Sequence, residues 1–257
     1  MKRILIVSDL HAGSSAGLMP ERIVDRDGVL HTPSPGQKYL LKLWKELLHK
    51  VGSVDIMVIN GDACDGTNRR GSGIGEWTSD IHLQAKTAAE LCKMFDAGKY
   101  LITQGSPYHV AENPCADALT ADALGGEFAP EFALKLKDEG VRLHFSHKIG
   151  VSTSSWQYRT TPIARELVSA LLNEKEYGKF HGIIRSHAHY YCGVEFGSHF
   201  GIITPCWQLR TPFMVAGGLA MLPKIGAIVL DIDKGDVAKE RYLWSIKREY
   251  IMKEMEK

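Results

Sequence analysis

A chain of 257 residues has the length of one large α/β domain or two small ones. Its hydrophobic share of 44% and charged share of 24% are those of a globular protein with an ordinary core, which argues against a disordered, fibrous or membrane-embedded chain. With 31 basic and 30 acidic residues the formal charge is +1, so there is no general electrostatic pull on nucleic acid or membrane, although a local basic groove is compatible with it.

The N-terminus, Met1-Lys2-Arg3 and then apolar residues, is too short for a signal-peptide core, and no apolar run approaches membrane-spanning length. Cys64, Cys92, Cys115, Cys192 and Cys206 are odd in number and scattered, with no C-x-x-C pair. That pattern predicts reduced thiols in a cytoplasmic protein rather than a disulfide framework or thiolate zinc site.

Ile4-Leu5-Ile6-Val7 is an apolar, largely β-branched run and predicts a strand buried on both faces. It leads into Ser8-Asp9-Leu10-His11. Residues two apart on an extended chain point the same way, so Asp9 and His11 are expected to be presented together at the strand's carboxyl end, where open α/β sheets bind ligands. Residues 12–36 are rich in Gly, Ser and Pro and predict a loop over the mouth of such a site, with a short hairpin around Asp27-Gly28-Val29-Leu30. Leu40, Leu41, Trp44, Leu47, Leu48 and Val51 recur at helical spacing and predict an amphipathic helix that Gly52 stops.

Asp55 to Asn60 reads as a second buried strand, running into Gly61-Asp62-Ala63-Cys64-Asp65. A glycine-rich loop with Arg69-Arg70 follows, then a helix over 81–97, then a third strand, Tyr100 to Thr103, ending in Gln104-Gly105-Ser106-Pro107-Tyr108-His109. The alanine-rich 110–138 region predicts one or two short helices. Val141 to His147 reads as a fourth strand, Pro162 to Tyr177 as a helix, and Gly182 to Arg185 as a fifth strand ending in Ser186-His187-Ala188-His189.

The remainder is strand-like: 194–196, 201–204, 226–232 and 241–246, the last two joined as a hairpin by Asp233-Lys234-Gly235-Asp236. No repeat or long polar linker divides the chain. The pattern predicts a single domain over 1–257 in which two sheets pack face to face with helices outside, and 247–257 form a charged helix or tail.

Five strands thus end in residues able to bind metal: Asp9 and His11; Asp62; Ser106 and His109; His147; His187 and His189. Singly, each has an ordinary reading, the aspartates as turn or helix caps and the histidines as loop or core residues. His187-Ala188-His189 points to metal more strongly, because two imidazoles two apart on an extended chain suit one ion. Together, in one parallel sheet, all five groups would converge at a single edge.

Asp9-Leu10-His11, Gly61-Asp62-Ala63-Cys64-Asp65 and Ser186-His187-Ala188-His189, in this order and with His147 before the last, resemble the D-x-H, G-D-x-x-D and G-H-x-H blocks of the calcineurin-like metallophosphoesterases. The resemblance spans residues 4 to about 190 and extends to the closing hairpin. It implies a four-layer α-β-β-α sandwich of two mixed sheets with helices outside. It also implies two divalent metal ions, manganese first and iron, zinc or nickel as alternatives.

Carried over by position, Asp9, His11 and His189 would hold one ion, Asp62 would bridge, and His147 and His187 would hold the second. Asp65 would orient a histidine or a loop amide, or simply cap the turn. The ions would activate a shared water for attack on phosphorus. The implied partner is a phosphate-ester substrate, with nucleotide and nucleic acid as candidates and no membrane involved.

One block departs from the family pattern. Where the family has G-N-H, this chain reads Gly105-Ser106-Pro107-Tyr108-His109. Either a small bulge returns His109 to the catalytic place as a general acid and leaves Ser106 or water on the ion, or His109 fills the vacant ligand position of the second metal.

Arg69 and Arg70 are candidate phosphate grips. Trp156, Tyr158, Arg159, Trp207 and Arg210 are candidate rim residues for stacking and phosphate contact, with structural packing the commoner explanation for each tryptophan. His31, His49, His82, His144, His181 and His199 lack a motif context. The functional expectation is a metal-dependent phosphoric ester hydrolase, with a phosphodiesterase or nuclease ahead of a phosphomonoesterase or protein phosphatase. A catalytically silent metal-binding scaffold of the same fold is the contrasting reading.

Overall fold

The computed structural model describes residues 1–67, 73–110, 115–151, 156–216 and 222–251. In chain order the elements are β1 (Lys2–Val7), β2 (Ile23–Val24), β3 (Leu30–His31), α1 (Pro35–Val51), β4 (Ile56–Asn60), α2 (Ile81–Cys92), β5 (Tyr100–Thr103), α3 (Pro107–Val110), α4 (Ala116–Leu124), β6 (Glu127–Ala129), β7 (Glu131–Leu136) and β8 (Val141–Ser146). They continue with α5 (Thr161–Leu172), α6 (Glu174–Tyr177), β9 (Gly182–Arg185), β10 (Cys192–Phe196), β11 (His199–Ile203), α7 (Pro212–Ala216), β12 (Ile225–Asp233) and β13 (Asp236–Trp244).

One sheet has the order β13-β12-β1-β4-β5-β6, and a second has the order β10-β11-β9-β8-β7. Both are mixed. β1, β4, β5 and β6 run parallel, β12 is antiparallel to β1, and β13 is antiparallel to β12; β8, β9 and β11 run parallel while β7 and β10 are antiparallel to them. The strands that carry the candidate ligands are therefore divided between two sheets, not gathered in one parallel sheet.

The alternation of β1 explains the layering. Ile4 and Ile6 point between the sheets and pack with Val58, Phe145, Ile184, Ile202 and Ile228. Leu5 and Val7 point the other way, against Leu40, Trp44 and Leu47 of α1 and Ala85 and Ala88 of α2. On the outer face of the second sheet, Ile183 and Ile203 pack with Ile163 and Leu167 of α5. The result is helix, sheet, sheet, helix: the four-layer α-β-β-α sandwich. Each fully buried Leu or Ile in these layers contributes about 1.5–3 kcal/mol.

Helix α1 starts earlier than its apolar stripe, because Ser34 and Gln37 form a capping box with Pro35 in the first turn. Three expectations are corrected. The 110–138 region holds one short α-helix, α4, followed by strands β6 and β7; in β7, half-buried Phe132, Leu134 and Leu136 alternate with exposed residues, a period-two signal masked by the neighbouring alanines. Helix α2 ends at Cys92, where Met94 and Phe95 make tighter turn bonds to Leu91 and Cys92 and Phe95 folds against Trp44. The 162–177 helix is broken at Asn173 into α5 and α6. Beyond β13 a short 3-10 turn spans Arg248–Tyr250, and 252–257 lie outside the described residues. Among the described residues, no helix is long and apolar enough to cross a membrane.

Candidate metal centre

The candidate ligands gather at the carboxyl ends of β1, β4, β8 and β9. The parallel pairing of β1 with β4 continues beyond the strands: Asp9 N donates to Gly61 O at 3.0 Å, His11 N to Asp62 O at 3.1 Å and Ala12 N to Ala63 O at 2.9 Å. In the second sheet, Ser186 N donates to His147 O at 2.9 Å. Each sheet thus delivers its ligand loops in register.

Three groups of side chains have potential ligand atoms within 4.8 Å of one another: Asp9, His11 and His189; Asp62, His147 and His187; and His11, Asp62 and His109. The first two are the divisions the sequence resemblance implies. The third puts His109 beside His11, with ring centroids 4.5 Å apart. His109 therefore does not fall into a common group with His147 and His187. Ser106 lies near the bridging candidate: its N–H donates to Asp62 Oδ1 at 2.8 Å, and its Oγ is 3.2 Å from Asp62 Oδ2.

The local backbone differs from the extended arrangement expected for D-x-H and H-x-H. Asp9, His11, Asp62, His187 and His189 all have positive φ, between 47° and 68°, and among the described non-glycine residues only Lys234 shares that feature. Their side chains converge because the chain is held in left-handed conformations after each strand, not because of strand alternation. Such conformations are strained for non-glycine residues and concentrate at functional sites.

Two glycines are required on steric grounds. A Cβ on Gly61 would fall 2.5 Å from His147 Nδ1, and one on Gly105 would collide with Asp62 Oδ1.

The histidines are oriented by oxygen acceptors. His147 Nδ1 donates to Asn60 O at 2.8 Å and His109 Nδ1 to Asp65 O at 2.7 Å. His11 Nδ1 donates to Asp65 Oδ1 at 2.9 Å. Each bond engages Nδ1 and leaves Nε2 facing the site. Asp65 thus orients His11 with its carboxylate and His109 with its carbonyl. Gln208 Nε2, 3.3 Å from Asp65 Oδ1, helps hold that carboxylate.

The electrostatics call for positive charge. Burial pushes the Asp9 carboxyl up, but the imidazoles of His189 and His147 outweigh it and hold it at about 2. Asp62 is likewise lowered: burial opposes ionisation, and His147 and His109 overcome it. Burial lowers His147, yet Asp62 and Asp9 raise it to about 9. His11 is lowered by burial and by His109, and His187 by burial and by His147. His147 Nε2 lies 2.9 Å from Asp62 Oδ2 and His189 Nε2 lies 3.2 Å from Asp9 Oδ1, while His189 Nδ1 is buried without a hydrogen-bond partner. His11 Nε2 and His189 Nε2 face each other at 3.2 Å. Two buried carboxylates and converging imidazole nitrogens fit divalent cations bound by oxygen and nitrogen.

Several supporting residues carry no local sequence signal. Asp117, buried on α4, accepts from Ala63 N at 2.9 Å, Gly105 N at 2.7 Å and Asp62 N at 3.3 Å, tying the loops after β4 and β5 together. Burial, then the Asp62 charge, pushes its carboxyl up to about 7. Gln84 of α2 holds Gly66 through both N and O, each at 2.8 Å. Asn60 is the exception: as the polar end of an apolar strand beside Gly61-Asp62, it was detectable.

Of the rim candidates, Trp207 belongs to the core, the commoner reading for a tryptophan here. It is fully buried and packs edge-on against Trp44 at 4.7 Å, so it offers no face to a ligand; its apolar neighbours in α1 claim it for the core. Tyr158 is exposed, and Arg159 O accepts from the Tyr190 hydroxyl at 3.0 Å, next to His189. Arg210 is partly buried. Arg69, Arg70 and the side chain of Trp156 lie outside the described residues.

No protein-family model matches the sequence, and no curated protein matches it. Solved structures do. Vps29 from Entamoeba histolytica complexed with zinc is 12% identical, with a TM-score of 0.43 over 94% of this chain and 98% of that one. An archaeal phosphodiesterase is 11% identical, with a TM-score of 0.45 over 93% and 99%. Vps29 from Chaetomium thermophilum is 13% identical, with a TM-score of 0.46 over 95% and 99%. The chain's own topology is two mixed sheets between helices, with the D-x-H, G-D-x-x-D and H-x-H blocks meeting at the strand ends, the arrangement that the sequence resemblance implies.

Proposed function

We propose that the protein is a metal-dependent phosphoesterase with a dinuclear site, and that a phosphodiester is its substrate. The observation that carries this reading is the pair of adjoining triads, Asp9-His11-His189 and Asp62-His147-His187, with Asp62 also grouped with His11. Asp9, His11 and His189 would hold one divalent ion and His147 and His187 a second, with Asp62 serving both, and because both triads draw on both sheets, residues 1–257 act as one domain. Such ions, manganese first, would supply neutralisation of phosphate oxygens and a lowered pKa for water.

The chain's own groups supply the rest. Asp65 fixes the rings of His11 and His109. His109, with Nδ1 bonded to a carbonyl, presents Nε2 to the leaving oxygen and in its protonated form donates there. Its place beside His11 supports this catalytic role over ligation of the second ion. Ser106 holds Asp62 where the family has an asparagine ligand. Arg69 and Arg70 grip phosphate from the loop after Gly66. Exposed Tyr158, together with Arg159 beside the His189 loop, supports a substrate with a second esterified group, such as a nucleotide or nucleic acid.

The test is hydrolysis of bis-p-nitrophenyl phosphate and p-nitrophenyl phosphate by the manganese-loaded protein, with Asp62→Ala as control and metal content measured alongside. Diester hydrolysis that disappears in Asp62→Ala is expected. Activity on the monoester alone overturns the diester assignment. Two bound ions with no turnover favour the scaffold reading, for which the Ser106 replacement is the motivating feature.

A further inference from the structure

Both candidate triads draw ligands from both sheets. Asp9, His11 and Asp62 follow β1 and β4 in the first sheet, while His147, His187 and His189 follow β8 and β9 in the second. The gap between the sheets at this end therefore fixes the ligand separations. Deeper in the sandwich the gap is filled by Ile4, Ile6, Val58, Phe145 and Ile184, whose contacts are non-directional.

Directly beneath the ligands the filling changes. Ser8 Oγ lies 2.8 Å from Thr204 Oγ1, which lies 2.7 Å from Ser186 Oγ. Asn60 Nδ2 donates to Ser186 Oγ at 2.7 Å and to Ser146 O at 3.1 Å, and Asn60 Oδ1 accepts from Thr103 Oγ1 at 3.0 Å. Ser8, Asn60, Thr103, Ser186 and Thr204 are all fully buried. These bonds cross from one sheet to the other three times, at Ser8–Thr204, at Asn60–Ser186 and at Asn60–Ser146.

The positions are specific. Ser8 precedes Asp9, Ser186 precedes His187, Ser146 precedes His147, and Asn60 stands two before Asp62. Asn60 also accepts the Nδ1 proton of His147 through its carbonyl at 2.8 Å. Hydrogen bonds weaken steeply with distance and angle, so this layer constrains the spacing in a way apolar packing does not.

We propose that this buried Ser8–Thr204–Ser186–Asn60–Thr103 chain is a positioning device: it sets the distance between the sheets under the site and thereby the separation of the two metal-binding triads. This rests on the dinuclear reading above. Its members touch neither ion nor substrate; they act through the residues that do.

The test uses the full chain and Mn²⁺, with binding followed by calorimetry and the spacing of the ions by electron paramagnetic resonance. Thr204→Val keeps the side-chain shape and removes the hydroxyl that joins Ser8 to Ser186, Thr204→Ser keeps the hydroxyl, and Ser186→Ala cuts the chain on the other side. The expected wild-type result is two bound ions with an exchange-coupled signal. Thr204→Val and Ser186→Ala should bind the second ion about 10-fold more weakly, as for outer partners of metal ligands, and show uncoupled Mn²⁺. Thr204→Ser should restore both properties.

Reduced thermal stability in Thr204→Val and Ser186→Ala, with affinity and coupling unchanged, would reduce the chain to a structural element and overturn the proposal. Ser8→Ala provides the same readout should either variant fail to fold. A wild-type protein that binds no Mn²⁺ overturns the dinuclear reading itself, an outcome distinct from two coupled ions in every variant.

Discussion

The two ends of the same sheets are built on opposite principles. At the amino end of β1, charges are paired at or near the surface: Lys2 Nζ lies 2.9 Å from Asp55 Oδ1, the Met1 amine 3.0 Å from Glu139 Oε1, and Arg3 3.4 Å from Asp231. At the carboxyl end, two carboxylates and several imidazoles are buried together, and the backbone is held at positive φ. The amino end matches its cations with anions, although Arg3 Nε and Asp231 Oδ1 there lack a hydrogen-bond partner. The carboxyl end is held by the surrounding fold in a state that a bound cation would relieve. The contrast teaches where to look for chemistry: not where charges are numerous, but where their desolvation is uncompensated.

The largest effect that tests this contrast is expected from Asp117→Ala. It leaves the N–H groups of Asp62, Ala63 and Gly105 without their acceptor, and each buried unmade bond costs about 1–3 kcal/mol. Metal affinity should fall about 10- to 100-fold, because the Asp62 loop loses its support. Asp117→Asn retains an acceptor and should lose less on both counts. Denaturant titration and Mn²⁺ calorimetry measure these effects; an unchanged affinity in Asp117→Ala would detach α4 from the site.

An intermediate effect is expected from pH on the metal-free protein. His147 is raised from 6.5 to about 9, so the stability it contributes is complete below pH 6.5 and is lost as pH rises toward 9. Asp9 is lowered from 3.8 to about 2, so its contribution is present above pH 4 and is lost as pH falls toward 2. In thermal unfolding of the metal-free chain the His147 and Asp9 contributions therefore coincide between about pH 4 and 6.5, and against them Asp117, raised to about 7, contributes stability that is lost as pH rises toward 7. Saturating Mn²⁺ should remove the decline above pH 6.5, because a cation replaces the imidazole protons. A decline that persists in the loaded protein would break the link between these charges and the metal.

The smallest effect is expected at the other end. Lys2→Ala removes an exposed ion pair with Asp55, and surface pairs of this kind contribute little and are screened by salt. Its melting temperature should match wild type at physiological ionic strength, with metal affinity unchanged. A change in metal affinity would show that the amino-end charges reach the site.

Much of the site is legible in local sequence, because each ligand follows a strand end marked by a change from apolar to polar residues. Asp9, His11, Asp62, His187 and His189 stand out that way as candidates, whereas the place of His109 beside His11 does not. For Trp207 the sequence favours packing without settling it, because an aromatic residue after a strand looks the same whether it faces solvent or core. Asp117 and Gln84 were missed because their partners lie 55 and 18 residues away in sequence, in loops after other strands. The β6 and β7 strands were hidden by alanines that favour helix, and only pairing with β5 and β8 draws them into sheets.

Sequence alone determined which residues have ligand chemistry, the order of the strands that carry them, and the hydrophobic alternation that sends Ile4 and Ile6 inward and Leu5 and Val7 outward. Those properties are local, set by side-chain type and by the two-residue period of a strand. Tertiary structure decided that Asp9 and His11 turn through positive φ, that each triad draws on both sheets, and that His109 lies beside His11. These depend on long-range pairing and on buried groups such as Asn60 and Asp117. No short stretch of sequence specifies which distant backbone groups will be brought within hydrogen-bond reach.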